Sequence, residues 1–317
     1  MTKAKYRAHL PQMGDTYMLT DGGLETTLIF HNGIDLPYFA AFDLLRSDQS
    51  RQTLKDYYTQ YIQIAGRQDT GFILESATWR ASSDWGDLMG YDAAALDRAN
   101  RAAIEILFEL RDAHEETHPF VISGNIGPRG DGYSPEALMT PAEAQDYHTA
   151  QIATFRGAGV DMLGAVTMTH SGEARGIARA AAAEGVPLAL AFTLETDGRL
   201  PTGQTLGDAI VEVDADTAPA YYMINCAHPD HFREAIAGGQ HWTSRIRGVR
   251  ANASRMSHAE LDEAEELDDG NPVELGILHA ELKGLLPSLR VFGGCCGTDH
   301  RHVDQIAQCC VPVTKAA

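Results

Sequence analysis

Three cysteines of this chain stand where two segments of β-forming residues end. Cys226 follows the segment YYMIN, and Cys295 and Cys296 follow RVFGG. Adjacent cysteines are poorly suited to a mutual disulfide, because one peptide unit holds their Cα atoms closer together than a disulfide prefers. Three thiolates suit zinc, and three protein ligands leave the fourth tetrahedral position open for a substrate. These residue types therefore indicate a candidate catalytic zinc site.

The alternative for these cysteines is structural, because a free cysteine also packs as a small buried hydrophobe. The glycines around the pair, Gly293, Gly294 and Gly297, favour the metal, since they let the backbone turn sharply enough for both sulfurs to face one ion. Cys309 and Cys310 lie at the end of the last predicted helix. We interpret those two as packing or surface thiols.

The elements that must position these cysteines alternate regularly. Eight short segments rich in apolar or β-branched residues are each followed by a helical pattern, as in βα units around a parallel sheet. The predicted strands lie at residues 17–20, 72–76, 120–124, 160–166, 187–193, 221–225, 245–251 and 290–294. The predicted helices lie at residues 51–66, 92–114, 141–159, 172–185, 206–213, 228–239, 272–286 and 299–310.

Eight alternations without a linker or repeat favour one closed (β/α)8 TIM barrel, as a single domain over residues 1–317. An open doubly wound sheet is the alternative. In a barrel the carboxyl ends of all strands meet at one rim, where the βα loops carry the chemistry. Cys226 follows the sixth strand, and Cys295 and Cys296 follow the eighth, so a barrel brings all three thiols to that rim.

Composition and charge restrict the partners. The chain has 25 basic and 44 acidic side chains, a formal net charge of -19. This charge opposes nucleic-acid backbones and anionic membrane surfaces, so we expect small-molecule partners. Five cysteines in 317 residues are too few and too clustered for a secreted disulfide framework, and no apolar run of membrane-spanning length occurs. We predict a cytoplasmic protein, and the sequence leaves homo-oligomers open.

Three segments carry a resemblance to a known family. TDGGLETTL at 20–28, INCAHP at 224–229 and GGCCGTDHRHV at 293–303 resemble, in the same order, the signatures of the homocysteine S-methyltransferase family. The resemblance implies a zinc-dependent (β/α)8 barrel that moves a methyl group from an onium donor to the thiol of homocysteine, giving methionine. Other zinc-activated enzymes, methyltransferases for a different thiol, and a non-catalytic zinc or redox sensor are the alternatives.

The resemblance also assigns residues. The positions that match the family's zinc ligands are Cys226, Cys295 and Cys296. The positions that match its substrate-contacting turn, after the first strand, are Asp21, Gly22 and Gly23. Zinc would remove the proton of the acceptor thiol, whose free pKa of about 8.5 makes it a poor nucleophile. In-line methyl transfer then needs orientation more than acid or base catalysis.

One position departs from the family pattern. Members commonly carry Glu-Thr at the end of the fourth strand, where the carboxylate holds the substrate amino group, and the matching pair here is Val166 and Thr167. An apolar side chain cannot pair with an ammonium. We predict that Glu75, at the end of the second strand, takes the place of the missing carboxylate. Asp21 would be the second contact to the substrate amino group. The alternatives are a salt bridge of Glu75 inside the barrel mouth and an acceptor other than homocysteine.

Aromatic residues near the predicted rim are candidates for binding a cationic methyl donor, because cations bind to aromatic faces. Trp79 and Trp85 follow the second strand, and Tyr38 and Phe39 lie in the first βα loop. The alternative is that these rings only close the top of the barrel. Since the chain ends soon after its last helix, we expect a sulfonium donor such as S-methylmethionine or S-adenosylmethionine rather than betaine.

Three histidines follow the predicted ligands closely. His228, His300 and His302 are candidates to accept the thiol proton, to replace a cysteine or to bond to a sulfur. A histidine that opens a helix is more often a cap or a surface residue. The glycine-rich segment at 124–133 lacks the lysine of a phosphate-binding loop, and we interpret it as a flexible rim loop.

Overall fold

Eight parallel strands pair in chain order, and the first also pairs with the eighth, so the sheet closes into a barrel. This closure confirms the predicted (β/α)8 fold and excludes the open doubly wound sheet. The computed structural model describes residues 4–114, 118–133, 135 and 138–312. The domain boundaries at 1 and 317 stay a prediction.

The elements agree with the predicted ones, with ends that shift by a few residues. The strands are β1 (Met18–Leu19), β2 (Gly71–Glu75), β3 (Phe120–Ile126), β4 (Met162–Met168), β5 (Leu188–Phe192), β6 (Tyr221–Asn225), β7 (Ile246–Ala251) and β8 (Val291–Gly294). The helices are α1 (Leu24–Thr26), α2 (Asp48–Arg67), α3 (Ser83–Leu88), α4 (Ala93–His114), α5 (Pro141–Ala158), α6 (Ser171–Ala183), α7 (Leu206–Asp216), α8 (Pro229–Ile236), α9 (His258–Asp262), α10 (Pro272–Leu285) and α11 (His300–Cys310). Short 3-10 or π turns lie at Pro11–Met13, Thr27–His31, Pro37–Phe39, Ala41–Arg46 and His241–Arg245.

Local sequence explains where several helices begin and end. Helix α5 begins with a capping box in which Thr140 and Glu143 bond reciprocally, and it ends at Gly159 in the left-handed conformation. The short helices α1, α3 and α9, which the periodicity did not predict, all lie in βα loops at the carboxyl ends of strands. These insertions therefore build the rim rather than the outer helical layer.

The barrel interior changes character along its axis. Residues at the amino ends of the strands form an apolar cluster that includes Met18, Met162 and Tyr221. Inward positions alternate along a strand, and toward the carboxyl ends they carry buried polar residues such as Glu75 and Arg250. The polar end thus coincides with the rim where the cysteines lie. None of the described helices is long and apolar enough to cross a membrane.

Candidate active site

A cavity of about 320 Å³ opens at the carboxyl ends of the strands. Residues at or just after β1, β2, β3, β4, β6, β7 and β8 form its wall. The predicted site residues that share this cavity are Asp21, Gly22, Gly23, Glu75, Thr167, Cys226, Cys295 and Cys296. The barrel therefore brings together residues separated by more than half of the chain.

The three cysteine sulfurs converge on one wall of the cavity. Their Sγ atoms all lie within 4.8 Å of one another, and those of Cys226 and Cys296 are 3.5 Å apart. Tetrahedral zinc with Zn–S bonds of about 2.3 Å holds sulfurs about 3.8 Å apart, so the donor set fits this ion. All five cysteines are free thiols. Cys309 is exposed and Cys310 is buried, and neither belongs to the cluster.

Hydrogen bonding among the thiols makes their acidities unequal. Interaction with the neighbouring Cys226 and Cys296 thiols holds the pKa of Cys295 well below the ordinary value, although burial opposes this. The same sharing raises the pKa of Cys226 well above its ordinary value, and burial adds to the effect. The three thiols are therefore not equivalent as donors to a cation.

Strand β7 holds the backbone of both cysteine segments. The amide of Cys226 donates to the Arg250 carbonyl at 3.1 Å, and that of Cys295 donates to the Ala251 carbonyl at 2.8 Å. Cys226 has a φ of 54°, in the left-handed region that residues other than glycine rarely adopt. Its carbonyl accepts hydrogen bonds from Thr193, at 3.2 Å, and from His258 Nε2, at 2.7 Å. Such surrounding bonds are what maintain a strained backbone at a site.

The glycines around the cysteine pair serve two purposes. Gly297 has a φ of 77°, so the predicted sharp turn occurs there. Gly293 and Gly294 have no such φ, and a side chain at either would collide with the hydroxyl of Thr20 or Thr298. Their role is close approach between β8 and its neighbours rather than an unusual turn.

The turn Asp21-Gly22-Gly23 packs directly on the cysteine segment. The Gly23 amide donates to the Thr298 carbonyl at 2.9 Å. A Cβ atom at Gly23 would lie 2.6 Å from the Cys295 carbonyl oxygen, and one at Gly22 would lie 2.9 Å from that of Thr298. Both glycines therefore position the first βα loop against the sulfurs.

A buried arginine, which sequence reasoning missed, joins two of the predicted site residues. Arg250 bonds to Asp21 Oδ1 at 2.7 Å and to Glu75 Oε2, and its Nε donates to the Gly294 carbonyl at 3.1 Å. Burial raises the pKa of Asp21 to about 6 against the opposing charge of Arg250. The signal for Arg250 was a charged residue at an inward strand position, two residues after Gly248, which packs against Met223 and Val291 of the inner apolar cluster.

Glu75 forms a salt bridge inside the barrel mouth, which is the structural alternative to binding the substrate. Besides Arg250, its carboxylate accepts a hydrogen bond from Ser123 Oγ at 3.4 Å.

Glu25 lines the same cavity, and among the described residues no cation lies within ion-pair distance of it. Burial raises the pKa of Glu25 to about 7, and the charges of Cys295 and Asp21 add to this.

The end of β4 has the apolar residue that the sequence indicated. Val166 is buried and packs in the inner apolar cluster. Thr167 has a φ of 64°, and the pairing of β4 with β5 shifts register at this point. Its amide donates to Asn225 Oδ1 at 2.8 Å, while Asn225 Nδ2 donates to the Thr167 hydroxyl at 3.0 Å. Thr167 is thereby tied to the residue that precedes Cys226.

A tyrosine from the third βα loop contacts the sulfurs. The hydroxyl of Tyr133 lies 2.9 Å from Cys226 Sγ and 3.3 Å from Cys296 Sγ. Its ring stacks on His258, with centroids 4.2 Å apart. The sequence indicates only a flexible, glycine-rich rim loop here, and nothing in its local sequence indicates that Tyr133 reaches the cysteines.

The four predicted aromatic residues line the cavity, but one cation already occupies the two indole faces. The guanidinium of Arg80 lies 4.0 Å from the ring centroid of Trp79 and 3.8 Å from that of Trp85. Tyr38 packs obliquely against Trp85 at 6.1 Å, and Tyr38 and Phe39 are exposed at the mouth. The tryptophans thus hold an internal arginine rather than stand free for a ligand.

The three histidines that follow the cysteines have structural contacts. His228 caps α8 by accepting a hydrogen bond from the Asp230 amide at 3.2 Å. His302 belongs to the capping box of α11, and its Nε2 donates to the Asp269 carbonyl at 2.7 Å. His300, the first residue of α11, is exposed. The contact that does reach the site comes from His258, which bonds to the carbonyl of Cys226.

Comparisons with known proteins agree with this geometry. A family model described as homocysteine S-methyltransferase matches residues 18–310. Homocysteine S-methyltransferase 4 of Zea mays is 21% identical over 309 residues, which span 92% of this chain and 88% of that protein. The homocysteine methyltransferase MmuM from Escherichia coli has the same fold, with a TM-score of 0.75 and 18% identity for its oxidized form and 0.70 and 19% for its metallated form. Each match covers 93% of this chain and 96% of MmuM.

Proposed function

Because the chain belongs to the homocysteine S-methyltransferase family, and is thus an S-methyltransferase, we propose that it moves a methyl group from a cationic onium donor to the thiol of homocysteine, giving methionine. The observation that carries this proposal is the convergence of three cysteine sulfurs on the wall of one cavity at the barrel rim. A zinc ion held by Cys226, Cys295 and Cys296 would lower the pKa of the acceptor thiol, so that it reacts as a thiolate.

The chain's own residues position the substrates in the cavity. The Tyr133 hydroxyl and the Asn225 amide lie against the sulfurs, the latter 3.8 Å from Cys295 Sγ. These groups, together with the packed turn at 21–23, limit how an acceptor enters. Displacement at a methyl carbon requires an in-line approach of the two substrates, so orientation is the main contribution that a rigid cavity can make.

The charge around the cavity supports a cationic donor. Asp131 and Asp262 line its outer part, and Glu25 lines the same cavity. Burial raises the pKa of Asp262, and the negative charge of the neighbouring Asp131 adds to this by repulsion. An added cation relieves such repulsion. We therefore propose a sulfonium as the donor and small molecules as the partners. We also propose a cytosolic location, where five free thiols persist.

An assay with separate donors tests the function. The zinc-loaded protein is incubated with homocysteine and either S-methylmethionine, S-adenosylmethionine or betaine, and methionine is quantified. We expect methionine with at least one sulfonium donor. Failure with all three donors, by protein that retains stoichiometric zinc, would contradict the proposed reaction and favour a zinc-binding or redox-sensing role. Methylation of another thiol but not of homocysteine would favour the alternative that Val166 suggests, a different acceptor.

Two carboxylates are candidates to bind the acceptor's amino group in place of the residue missing at Val166. Glu75, the predicted substitute, is bonded to Arg250 and Ser123. Glu25 lines the cavity without an ion-pair partner among the described side chains. An ammonium would satisfy Glu25 without breaking an existing bond, so the contacts favour Glu25.

We expect Glu25→Gln to weaken homocysteine binding by about tenfold or more, the effect of losing one charged hydrogen bond. Binding of 4-sulfanylbutanoate, which lacks the amino group, should change little. Glu75→Gln is the matched comparison and should affect both ligands alike, because it disturbs Arg250. Calorimetric titration of the zinc-loaded variants measures both affinities. A selective loss in Glu75→Gln alone would restore Glu75 as the ammonium ligand.

A further inference from the structure

Arg80 is a buried cation in the wall of the cavity. Its side chain follows β2 in the segment ATWRASSDW, and only 7% of the residue is exposed. The guanidinium lies between the rings of Trp79 and Trp85, and Nη1 donates to the Gly130 carbonyl at 3.0 Å. Nε has no hydrogen-bond partner, and no carboxylate in the described part of the chain lies within ion-pair distance.

In this arrangement, some N–H groups at the edge of the guanidinium have no hydrogen-bond acceptor among the described residues. Stacking satisfies its two faces, whereas its five N–H groups point outward in the plane, and one of them is bonded to Gly130. A buried charge without a partner is costly, and a planar carboxylate matches the arginine fork with two parallel bonds. Burial lowers the pKa of Arg80 to about 10, and the charge of Asp131 offsets part of this effect.

The contrast with Arg250 indicates what Arg80 lacks. Arg250 lines the same cavity and is equally buried, and it is bonded to two carboxylates and a carbonyl. Among the residues that the structure describes, Arg250 thus has carboxylate partners, whereas the equally buried Arg80 of the same cavity has none. An arginine held rigidly in a cavity in this state is ready to receive an anion.

We propose that Arg80 binds the carboxylate of an amino-acid substrate, and that Trp79 and Trp85 hold its guanidinium edge toward the cavity. The proposal rests on the proposed function, and it names the substrate class as amino acids that carry sulfur and a free carboxylate. Glu25, in the same cavity, has the opposite charge and complements an ammonium. Both the thiol acceptor and a sulfonium donor can carry such a carboxylate, so the experiment has one arm for each.

The competing role for Arg80 is structural. Its bond to Gly130 supports the loop that carries Tyr133, and a Cβ atom at Gly127 would lie 2.6 Å from Trp79 Cδ1, so this loop packs closely on the tryptophan. A structural role alone would make loss of Arg80 weaken all ligands alike. A carboxylate-binding role makes the loss depend on the carboxylate.

Tryptophan fluorescence provides a binding readout that does not need turnover. The chain has three tryptophans, of which Trp79 and Trp85 flank Arg80 and Trp242 lies beside Gly207 outside this cavity. In the acceptor arm, the zinc-loaded protein is titrated with homocysteine and with 3-aminopropane-1-thiol, which lacks the carboxylate. In the donor arm, it is titrated with S-methylmethionine and with (3-aminopropyl)dimethylsulfonium, which also lacks it.

In at least one arm we expect wild-type protein to bind the carboxylate-bearing ligand about tenfold to a hundredfold more tightly. Arg80→Gln should remove that preference and leave the affinity for the des-carboxy ligand within about twofold. Arg80→Lys keeps the charge without the planar fork, and it should retain part of the preference. The arm that responds identifies which substrate carries the recognised group.

Arg46→Gln is the matched control, because the Arg46 guanidinium also lies over an aromatic ring, that of Tyr91 at 4.4 Å, but outside the cavity. Equal affinities for both ligands of each pair in wild-type protein would overturn the proposal, even if no Arg80 variant folds. A preference that persists in Arg80→Gln would overturn it as well. Carboxylate-selective binding without any methyl transfer would refute the proposed reaction while sustaining the role of Arg80.

Discussion

Cys226→Ala should remove zinc from the protein and abolish thiol methylation. Cys226 supplies one of three sulfurs that lie within 4.8 Å of one another, and two remaining thiolates form an incomplete site. Loss of a group that merely supports a ligand weakens metal binding by about tenfold to a hundredfold, so loss of a ligand itself should exceed a hundredfold. Metal analysis after dialysis, with methionine formation measured in parallel, tests both effects.

The same measurement on other cysteines defines the ligand set. Cys295→Ala and Cys296→Ala should behave like Cys226→Ala, whereas Cys309→Ala should retain zinc and activity, because Cys309 is exposed on α11. Zinc affinity should also fall on acidification, since the ligands bind as thiolates. Full zinc retention by Cys296→Ala would exclude the three-cysteine site.

Arg250→Met should destabilise the fold by about 3–5 kcal/mol, the usual cost of leaving buried charges without their partner. Arg250 is the cation that faces both Asp21 and Glu75 at the inner end of the cavity, and all three side chains are buried. Methionine fills a similar volume but neutralises neither carboxylate. Urea unfolding in the presence of a chelator measures the effect without a contribution from zinc.

The pH dependence of this deficit distinguishes unpaired carboxylates from poor packing. Burial raises the pKa of Asp21 to about 6 in the folded protein, above its unfolded value of about 3.9. A carboxyl whose pKa is raised by folding costs stability at high pH, and that stability returns as the pH falls through about 6 toward 4. Removing Arg250 raises this pKa further, so the deficit of Arg250→Met should be smaller at about pH 5.5 than at about pH 8.

Arg101→Met is the matched control for this prediction. Arg101 pairs with Asp97 on the surface of α4 at 2.8 Å, with both side chains substantially exposed. Such pairs contribute less than about 1 kcal/mol, and the change should not alter the pH dependence between those two conditions. An Arg250→Met deficit that is equally small, or that stays constant with pH, would show that Asp21 and Glu75 do not depend on this arginine.

The sequence by itself determined the barrel and the meeting of the cysteines. Short apolar strands and amphipathic helices are local patterns, and their bounds follow from period and from residues such as Thr140 and Gly159 that begin and end a helix. Once eight βα units are recognised, every strand ends at the same rim. Cys226 and Cys295 therefore had to lie near each other, although 69 residues separate their positions (295 minus 226).

The tertiary structure alone decided which charged groups pair within the cavity. Glu75 was predicted to lie on the rim, but its partner Arg250 is 175 residues away and depends on barrel closure and strand register. The positions of Arg80 between two tryptophans, of Tyr133 on the sulfurs and of Glu25 in the cavity likewise result from the paths of βα loops. Loop paths have no period that a sequence displays, because packing against other loops decides them. For that reason the sequence could identify the three cysteines of the candidate metal site, while the residues that we propose to select the substrate emerged only from the folded barrel.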